Sequence, residues 1–237
     1  MEKFQGIGVS NGIVSGTLVI QKQEISVTKE HSYTKEEELQ RFLQAHKTMV
    51  EQLEQFSNEA GAKYGLVAQS IIDGHLFMTK DAEYISEIKN YIQKTSISAK
   101  EAILKATYKR VMQCLESQDV YLKSRAEDIK EVGNQLIKAL NFKEVHKTKA
   151  TNSKVILLTN RIGITSLLTL PDNIEGILLL EGQQQSHLTV LANIIMIPMI
   201  VRVPKSIIRW SSYPLTINGG TGEIIVQDLQ FHDKTGH

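Results

Sequence analysis

The chain has 237 residues, of which 41% are hydrophobic and 22% are charged, and its formal net charge is +1. This length and composition suit a soluble globular protein of one or two domains with enough apolar side chains for a core. The balanced charge gives no indication of nucleic acid or an anionic membrane as the main partner. No apolar run approaches the roughly 18 residues of a membrane span.

Cysteine usage and the N-terminal residues bear on the compartment. Cys114 is the only cysteine, which excludes an intrachain disulfide and is consistent with a reducing environment. Residues 1–6 lack the apolar core of a signal peptide. We therefore expect a cytoplasmic protein.

The N-terminal segment predicts a strand with a glycine-rich entry. Residues 13–20 are mostly apolar and rich in β-branched side chains, as is typical of a strand. The preceding glycines, in residues 6–12, match neither the Gly-x-Gly-x-x-Gly spacing nor a P-loop. We therefore expect these glycines to shape the entry to a strand, with no nucleotide bound there.

The middle of the chain predicts helices. Residues 30–149 hold most of the charged side chains and no proline. Capping-box signatures at Thr34 and Ser98 each open a helix. The predicted helices begin at residue 35, cover 66–78 and 82–93, begin again at 99, and run from about 119 to 140. Several antiparallel helices with short links predict a bundle.

The last third changes character. Residues 150–231 are poor in charge and contain all four prolines, which favours short buried strands with turns. The predicted strands cover 155–158, 176–180, 199–203 and 223–226, with short helical pieces between the first three. This is an α/β pattern, and the N-terminal strand is expected to rejoin it because a lone strand lacks a pairing partner. The predicted division is an α/β domain of residues 1–28 and 147–231, a helical domain of residues 29–146, and a tail of residues 232–237.

His187 is the side chain that most directly suggests chemistry. It follows a strand-like run and a polar loop, and a helix is predicted to begin at or just after it. Unpaired N–H groups at a helix start hold anions, and neutral imidazole is a nucleophile that can carry a phosphoryl group. The alternative is a histidine in an ordinary strand-to-helix loop. The other histidines show no metal-binding spacing, so no metal site is predicted.

Several ordered segments resemble one family. Residues 182–192 resemble its phosphohistidine loop, written Gly-Gly-x-x-Ser-His-x-x-Ile-x-Ala-Arg, and residues 197–201 resemble the Leu-Pro-Ala-Ile-Val that follows. Residues 6–16 resemble its opening strand, and residues 72–78 and 121–129 resemble its helical domain. The family is Enzyme I, the phosphoenolpyruvate-protein phosphotransferase of the bacterial sugar phosphotransferase system, and the resemblance is to its N-terminal half. It implies an α/β phosphohistidine (swivelling) domain with an inserted all-α helical bundle.

The resemblance also implies site residues and a partner. His187 would accept phosphate from phosphoenolpyruvate through Nε2 and pass it to a histidine of the small carrier HPr, in sugar uptake. Gly182 and Ser186 belong to the same loop, and Ser166 would supply a hydroxyl that supports the imidazole. The residues at positions matching the HPr-binding surface are His75, Phe77, Met78, Tyr121, Leu122 and Arg125.

Complete family members continue into a (β/α)₈ barrel that binds phosphoenolpyruvate and Mg²⁺, for which a chain ending at His237 has no room. We therefore expect no cofactor in this chain, no autophosphorylation from phosphoenolpyruvate, exchange with phospho-HPr, and a monomer.

Two departures keep other interpretations open. Gln183 stands at the family's second glycine, and Asn193 stands at the arginine that follows the alanine. One alternative is a non-catalytic, HPr-binding regulatory module with a decayed site. Another is the Enzyme I-like domain of a multidomain phosphotransferase, such as those that feed dihydroxyacetone kinase.

Overall fold

The computed structural model describes residues 2–21, 33–140 and 153–227. These residues form two compact units, one containing residues 2–21 and 153–227 and the other containing residues 33–140. The domain boundaries predicted after residues 28 and 146, and the predicted tail of residues 232–237, lie outside the described residues. The chain contains one helical unit and one α/β unit, which confirms the predicted fold class.

The α/β unit is built on one mixed sheet. Its strands, in the described residues, are β1 Glu2–Gln5, β2 Ile7–Ser10, β3 Ile13–Ile20, β4 Val155–Thr159, β5 Ile174–Leu179, β6 Met199–Val201, β7 Pro214–Asn218 and β8 Glu223–Val226. They lie in the order β1-β8-β7-β3-β4-β5-β6-β2. The four neighbours β3, β4, β5 and β6 run parallel, whereas the strands on either side of them pair antiparallel. The N-terminal strand β3 therefore rejoins the later strands, as predicted.

Apolar side chains explain why these strands lie at the centre. All five residues of β4 are buried, as expected for a parallel strand covered on both faces. Two short helices, α6 Ile164–Leu168 and α7 His187–Ile194, and one 3₁₀ helix, Lys205–Trp210, connect the strands. The core on one side of the sheet includes Leu18, Ile156, Leu158, Leu178, Ile200 and Ile217. Burial of these side chains fixes the register and hence the position of each strand end.

The N-terminal glycines lie where backbones meet closely. A Cβ atom on Gly8 would lie 2.5 Å from the carbonyl oxygen of Gly219, and one on Gly219 would lie 1.9 Å from that of Ser10. Both distances are too short for any side chain. The glycines thus let β2 pass close to the hairpin turn at residues 218–222, which joins β7 and β8.

The second unit contains five helices within residues 33–140: α1 Lys35–Tyr64, α2 Leu66–Thr79, α3 Ala82–Thr95, α4 Ala99–Glu116 and α5 Val120–Leu140. Thr34 and Ser98 form the predicted capping boxes, each accepting a bond from the backbone N–H three residues on. Helix α1 packs against α2 and α5, and α4 packs against α5. None of the helices in the described ranges is long and apolar enough to cross a membrane.

Candidate functional site

The parallel strands β4, β5 and β6 end at one edge of the sheet. Leu158 pairs with Leu178, and Leu178 pairs with Ile200, so the segments after these strands emerge side by side. In sheets of this kind, ligands bind beyond the carboxyl ends of the strands. The segment after β4 leads to Ser166, the segment after β5 leads to His187, and Arg202 directly follows β6. The topology therefore brings three separated parts of the sequence to one edge.

His187 is the first residue of α7, as the sequence predicts. Ser186 is the N-cap: its Oγ accepts the backbone N–H of Thr189 at 3.2 Å, and Thr189 Oγ1 lies 3.1 Å from the backbone N of Ser186. This reciprocal pair fixes where the helix begins and places the half-buried imidazole at its N-terminal end. That end carries partial positive charge from unpaired N–H groups, which favours an anion.

Gly182 gives the loop before His187 its shape. Its φ is +152°, which side chains rarely adopt, and a Cβ there would lie 3.1 Å from Cβ of Val201. The Gly182 carbonyl oxygen accepts a hydrogen bond from Arg202 Nε at 3.1 Å. An ion pair joins the segments that follow β4 and β5, because Arg161 Nε lies 2.6 Å from Glu181 Oε2. The loop is thus held at its start by groups that follow both neighbouring strands.

The two residues that depart from the family pattern differ in their surroundings. The Asn193 side-chain amide donates to the Val9 carbonyl at 2.5 Å and to the Thr189 carbonyl at 2.9 Å. It thereby fastens α7 to β2, and its side chain is used for packing. Gln183 is exposed and follows the left-handed glycine.

Ser166 lies in α6, which packs against α7. Its side chain is half-buried. Within residues 153–227, however, no hydrogen bond links its hydroxyl to His187. The fold therefore brings the Ser166 helix against the His187 helix, but without the hydrogen bond from Ser166 that the resemblance implies.

In the helical unit, His75 lies in the interior and not on the surface. The residue is 1% exposed, and its Nε2 lies 3.7 Å from Asp128 Oδ1 on α5. Neither ring nitrogen has a hydrogen-bond partner in the described part of the chain. The position predicted for partner contact is therefore one that packs α2 against α5.

Arg125 links this buried pair to the surface. It donates to Asp128 Oδ2 at 3.2 Å and to the hydroxyl of Tyr121, and its guanidinium carbon lies 4.7 Å from the centre of the Tyr121 ring. These three residues follow one stripe of α5 at spacings of four and three. Sequence reasoning missed Asp128, although its spacing from Arg125 was a usable signal.

The remaining predicted docking residues are more accessible. Phe77 is 79% exposed, Tyr121 is 59% exposed and Leu122 is 43% exposed, whereas Met78 is half-buried. Phe77 lies about 200° around α2 from His75, which explains why one faces solvent and the other faces α5. Exposed aromatic side chains of this size are typical of protein-binding surfaces.

No group of three or more His, Cys, Asp or Glu side chains arranged to hold a metal ion occurs among residues 2–21, 33–140 and 153–227.

Comparisons with known proteins identify the family to which the chain belongs. Residues 5–125 match the family model described as PEP-utilising enzyme, N-terminal, and residues 151–222 match the one described as PEP-utilising enzyme, mobile domain. The chain belongs to this family. The predicted resemblance to the N-terminal half of Enzyme I is thereby confirmed, and the relatives below agree with it.

Two curated relatives of the PEP-utilising family are named phosphoenolpyruvate-protein phosphotransferase. One, from Buchnera aphidicola subsp. Schizaphis graminum (strain Sg), is 32% identical over 206 residues, which cover 84% of this chain and 35% of the relative. The other, from Bacillus subtilis (strain 168), is 26% identical over 231 residues, which cover 95% of this chain and 40% of the relative. The chain thus spans 35% and 40% of the length of these two relatives.

Solved structures of the family share the fold. The structure titled "N-terminal domain of Enzyme 1 - Nitrogen" matches with a TM-score of 0.65 at 18% identity, covering 94% of this chain and 93% of that one. A solution structure of Enzyme I (nEIt) matches with a TM-score of 0.68 at 24% identity, covering 96% of this chain and 94% of that one.

Proposed function

We propose that this chain is the phosphocarrier half of a phosphoenolpyruvate-protein phosphotransferase, with His187 as the residue that carries the phosphoryl group to and from HPr. One observation carries the proposal: the imidazole of His187 opens helix α7 at the carboxyl edge of the parallel strands. Membership of the PEP-utilising family supports a phosphoryl group as the anion held there.

The transfer step is a displacement at phosphorus between two imidazoles. The lone pair of His187 Nε2 attacks the phosphorus atom of phospho-HPr, a new N–P bond forms, and the old N–P bond breaks with its electron pair returning to the HPr imidazole. Such a step depends mainly on alignment and on neutralising the phosphoryl oxygens. Ser186 contributes alignment by fixing the helix start, and Gly182 shapes the loop that leads to it.

Ser166 is assigned a role only in the phosphorylated form of the chain. Its helix packs against α7, so its hydroxyl is available to the imidazole after a small rearrangement when the phosphoryl group is present. In that form, the Ser166 hydroxyl supports the imidazole of His187.

The helical unit supplies the docking surface for HPr. Phe77, Tyr121 and Leu122 offer exposed apolar area, and Arg125 offers a cation held in place by Asp128. His75 acts from the interior by packing α2 against α5. We assign phosphoenolpyruvate and Mg²⁺ binding to the part of the relatives that this chain does not match, and the sugar-uptake role to the complete protein.

The proposal is tested by incubating the chain with ³²P-labelled phospho-HPr. Wild type is expected to take up acid-labile label, and His187→Ala is expected to take up none above background, because it has no nucleophile at that position. Gln185→Ala is the matched control: it alters an exposed side chain of the same loop and should label like wild type. Label that reaches His187→Ala equally, or fails to reach wild type, would refute the assignment.

A non-catalytic HPr-binding module is the second candidate. Asn193 favours it, because its side chain is used in packing and cannot serve as a cation for phosphate. An NMR titration separates the two: specific HPr binding together with no phosphoryl exchange would select the binding module.

A further inference from the structure

Arg202 has an uncommon backbone conformation at the candidate site. It directly follows β6 and has φ of 55°, in the left-handed region that non-glycine residues seldom adopt. Val201 and Val203 on either side are buried, so packing holds the segment in place. Strained residues of this kind persist where the surrounding structure fixes them, and they cluster at functional sites.

The guanidinium of Arg202 is tied to the loop that carries His187. Its Nε donates to the carbonyl oxygen of Gly182 at 3.1 Å, and the residue is exposed. Within the described residues, Arg202 forms no ion pair with a carboxylate, whereas Arg161 at the same edge is paired with Glu181. Its Nη1 and Nη2 groups are therefore available to another acceptor.

We propose that Arg202 binds the phosphoryl group carried on His187 and supplies the cation that Asn193 cannot. The inference rests on the proposed function. Arginine presents its N–H groups as a planar fork that fits phosphoryl oxygens, and bonds of this charge-assisted kind are stronger than neutral ones. The bond to Gly182 fixes one side of the fork on the catalytic loop and leaves the other side to the anion.

The site therefore draws its positive charge from two directions. The N-terminal end of α7 provides backbone N–H groups, and Arg202 provides a full charge from the end of the neighbouring strand. This explains how a loop without the family's arginine can hold a phosphoryl group. It also gives a reason for a long charged side chain at a position whose φ suits glycine.

The test measures how phosphate divides between HPr and the chain at equilibrium. Arg202→Gln removes the charge. We expect it to lower the equilibrium constant for phosphoryl transfer from HPr to His187 by about tenfold or more relative to wild type. Arg202→Lys keeps the charge without the fork and should fall between. Arg209→Gln is the matched control, because Arg209 is another exposed arginine of the same unit and is paired with Glu2.

Two further measurements guard against a merely structural effect. Arg202→Gly removes the guanidinium, so it should lower the equilibrium constant for phosphoryl transfer to His187 as Arg202→Gln does. Because glycine suits a left-handed backbone, this variant should keep or raise the melting temperature. The NMR signal of Arg202 Nε–H should shift when wild type is phosphorylated by phosphoramidate, a small donor that needs no HPr docking. Here the P–N bond of phosphoramidate breaks, ammonia leaves, and the phosphoryl group bonds to His187 Nε2.

The outcomes separate the two proposals. Wild-type labelling with unchanged equilibrium constants in Arg202→Gln and Arg202→Gly would overturn the role of Arg202 and leave the proposed function standing. A wild type that accepts label from neither phospho-HPr nor phosphoramidate would refute both.

Discussion

At the scale of single residues, Tyr84 is the side chain whose ionisation is most clearly perturbed. Burial raises the pKa of its phenol to about 12 from the ordinary 10.0, while a hydrogen bond with Thr107 Oγ1 at 2.6 Å and the charge of Arg110 act in the opposite direction. The folded protein therefore binds this proton more tightly than the unfolded chain. A raised pKa in the folded state stabilises the protein fully below pH 10 and stops doing so above about pH 12.

We predict that the stability difference between wild type and Tyr84→Phe shrinks as pH rises from 10 to 12. Two pKa units correspond to about 3 kcal/mol of unfolding free energy, which is an upper bound for the loss. Urea unfolding of both proteins across this range measures it, and the phenylalanine variant controls for the deprotonation of lysines. Parallel curves for the two proteins would contradict the assigned pKa.

His75 illustrates what the sequence could not supply at this scale. The sequence shows that His75 matches a docking position of the family. It does not show that His75 is buried, because that burial depends on how α2 packs against α5. The neighbour that explains it, Asp128, lies more than 50 positions along the chain. Arg202 escaped notice for the same reason, since only the pairing of β5 with β6 brings it beside Gly182.

At the scale of elements, local signals were sufficient wherever a side chain caps its own helix. Thr34 and Ser98 were predicted as N-caps and are N-caps, because the bond spans only three residues. Strands β1 and β7 were not predicted individually. Strand β1 has alternating exposure and, among the described residues, pairs with β8 alone. Strand β7 begins at Pro214, a residue that is more typical of the end of a strand than of its interior. Their existence depends on partners distant in the sequence.

The cap of α7 has a functional consequence that can be isolated. Ser186→Ala removes the bond to the Thr189 N–H, and we expect it to lower stability by about 1 kcal/mol and to slow phosphorylation of His187 by phosphoramidate. Ser186→Thr keeps the cap and should retain both properties.

Ser186→Asp separates the cap from the charge at the helix start. Aspartate caps a helix well, so the melting temperature should be retained, but its carboxylate lies beside the incoming phosphoryl group and repels it. Thermal unfolding and phosphoramidate labelling measure the two effects on the same samples. Normal labelling of Ser186→Asp would contradict the predicted repulsion between this carboxylate and the incoming phosphoryl group.

At the scale of the whole molecule, the two units carry different parts of the proposed reaction. The exposed side chains Phe77 and Tyr121 belong to the helical unit, and His187 belongs to the α/β unit. Docking and chemistry should therefore respond to different substitutions. The choice of donor distinguishes them, because phospho-HPr requires docking and phosphoramidate does not.

We predict that Phe77→Ala and Tyr121→Ala each slow exchange with phospho-HPr by about tenfold or more. Truncation of an aromatic side chain that anchors a partner typically costs about 1–2 kcal/mol or more of binding free energy. Labelling of His187 by phosphoramidate should be unchanged in both. Tyr108→Ala is the matched control, because Tyr108 is 65% exposed on α4 of the same unit and lies outside the predicted docking residues. A Tyr108→Ala variant as slow as the other two would assign the docking surface to a different face of the helical unit. Equal losses with both donors would instead mean that the substitutions disturb the chemistry at His187 and not the docking of HPr.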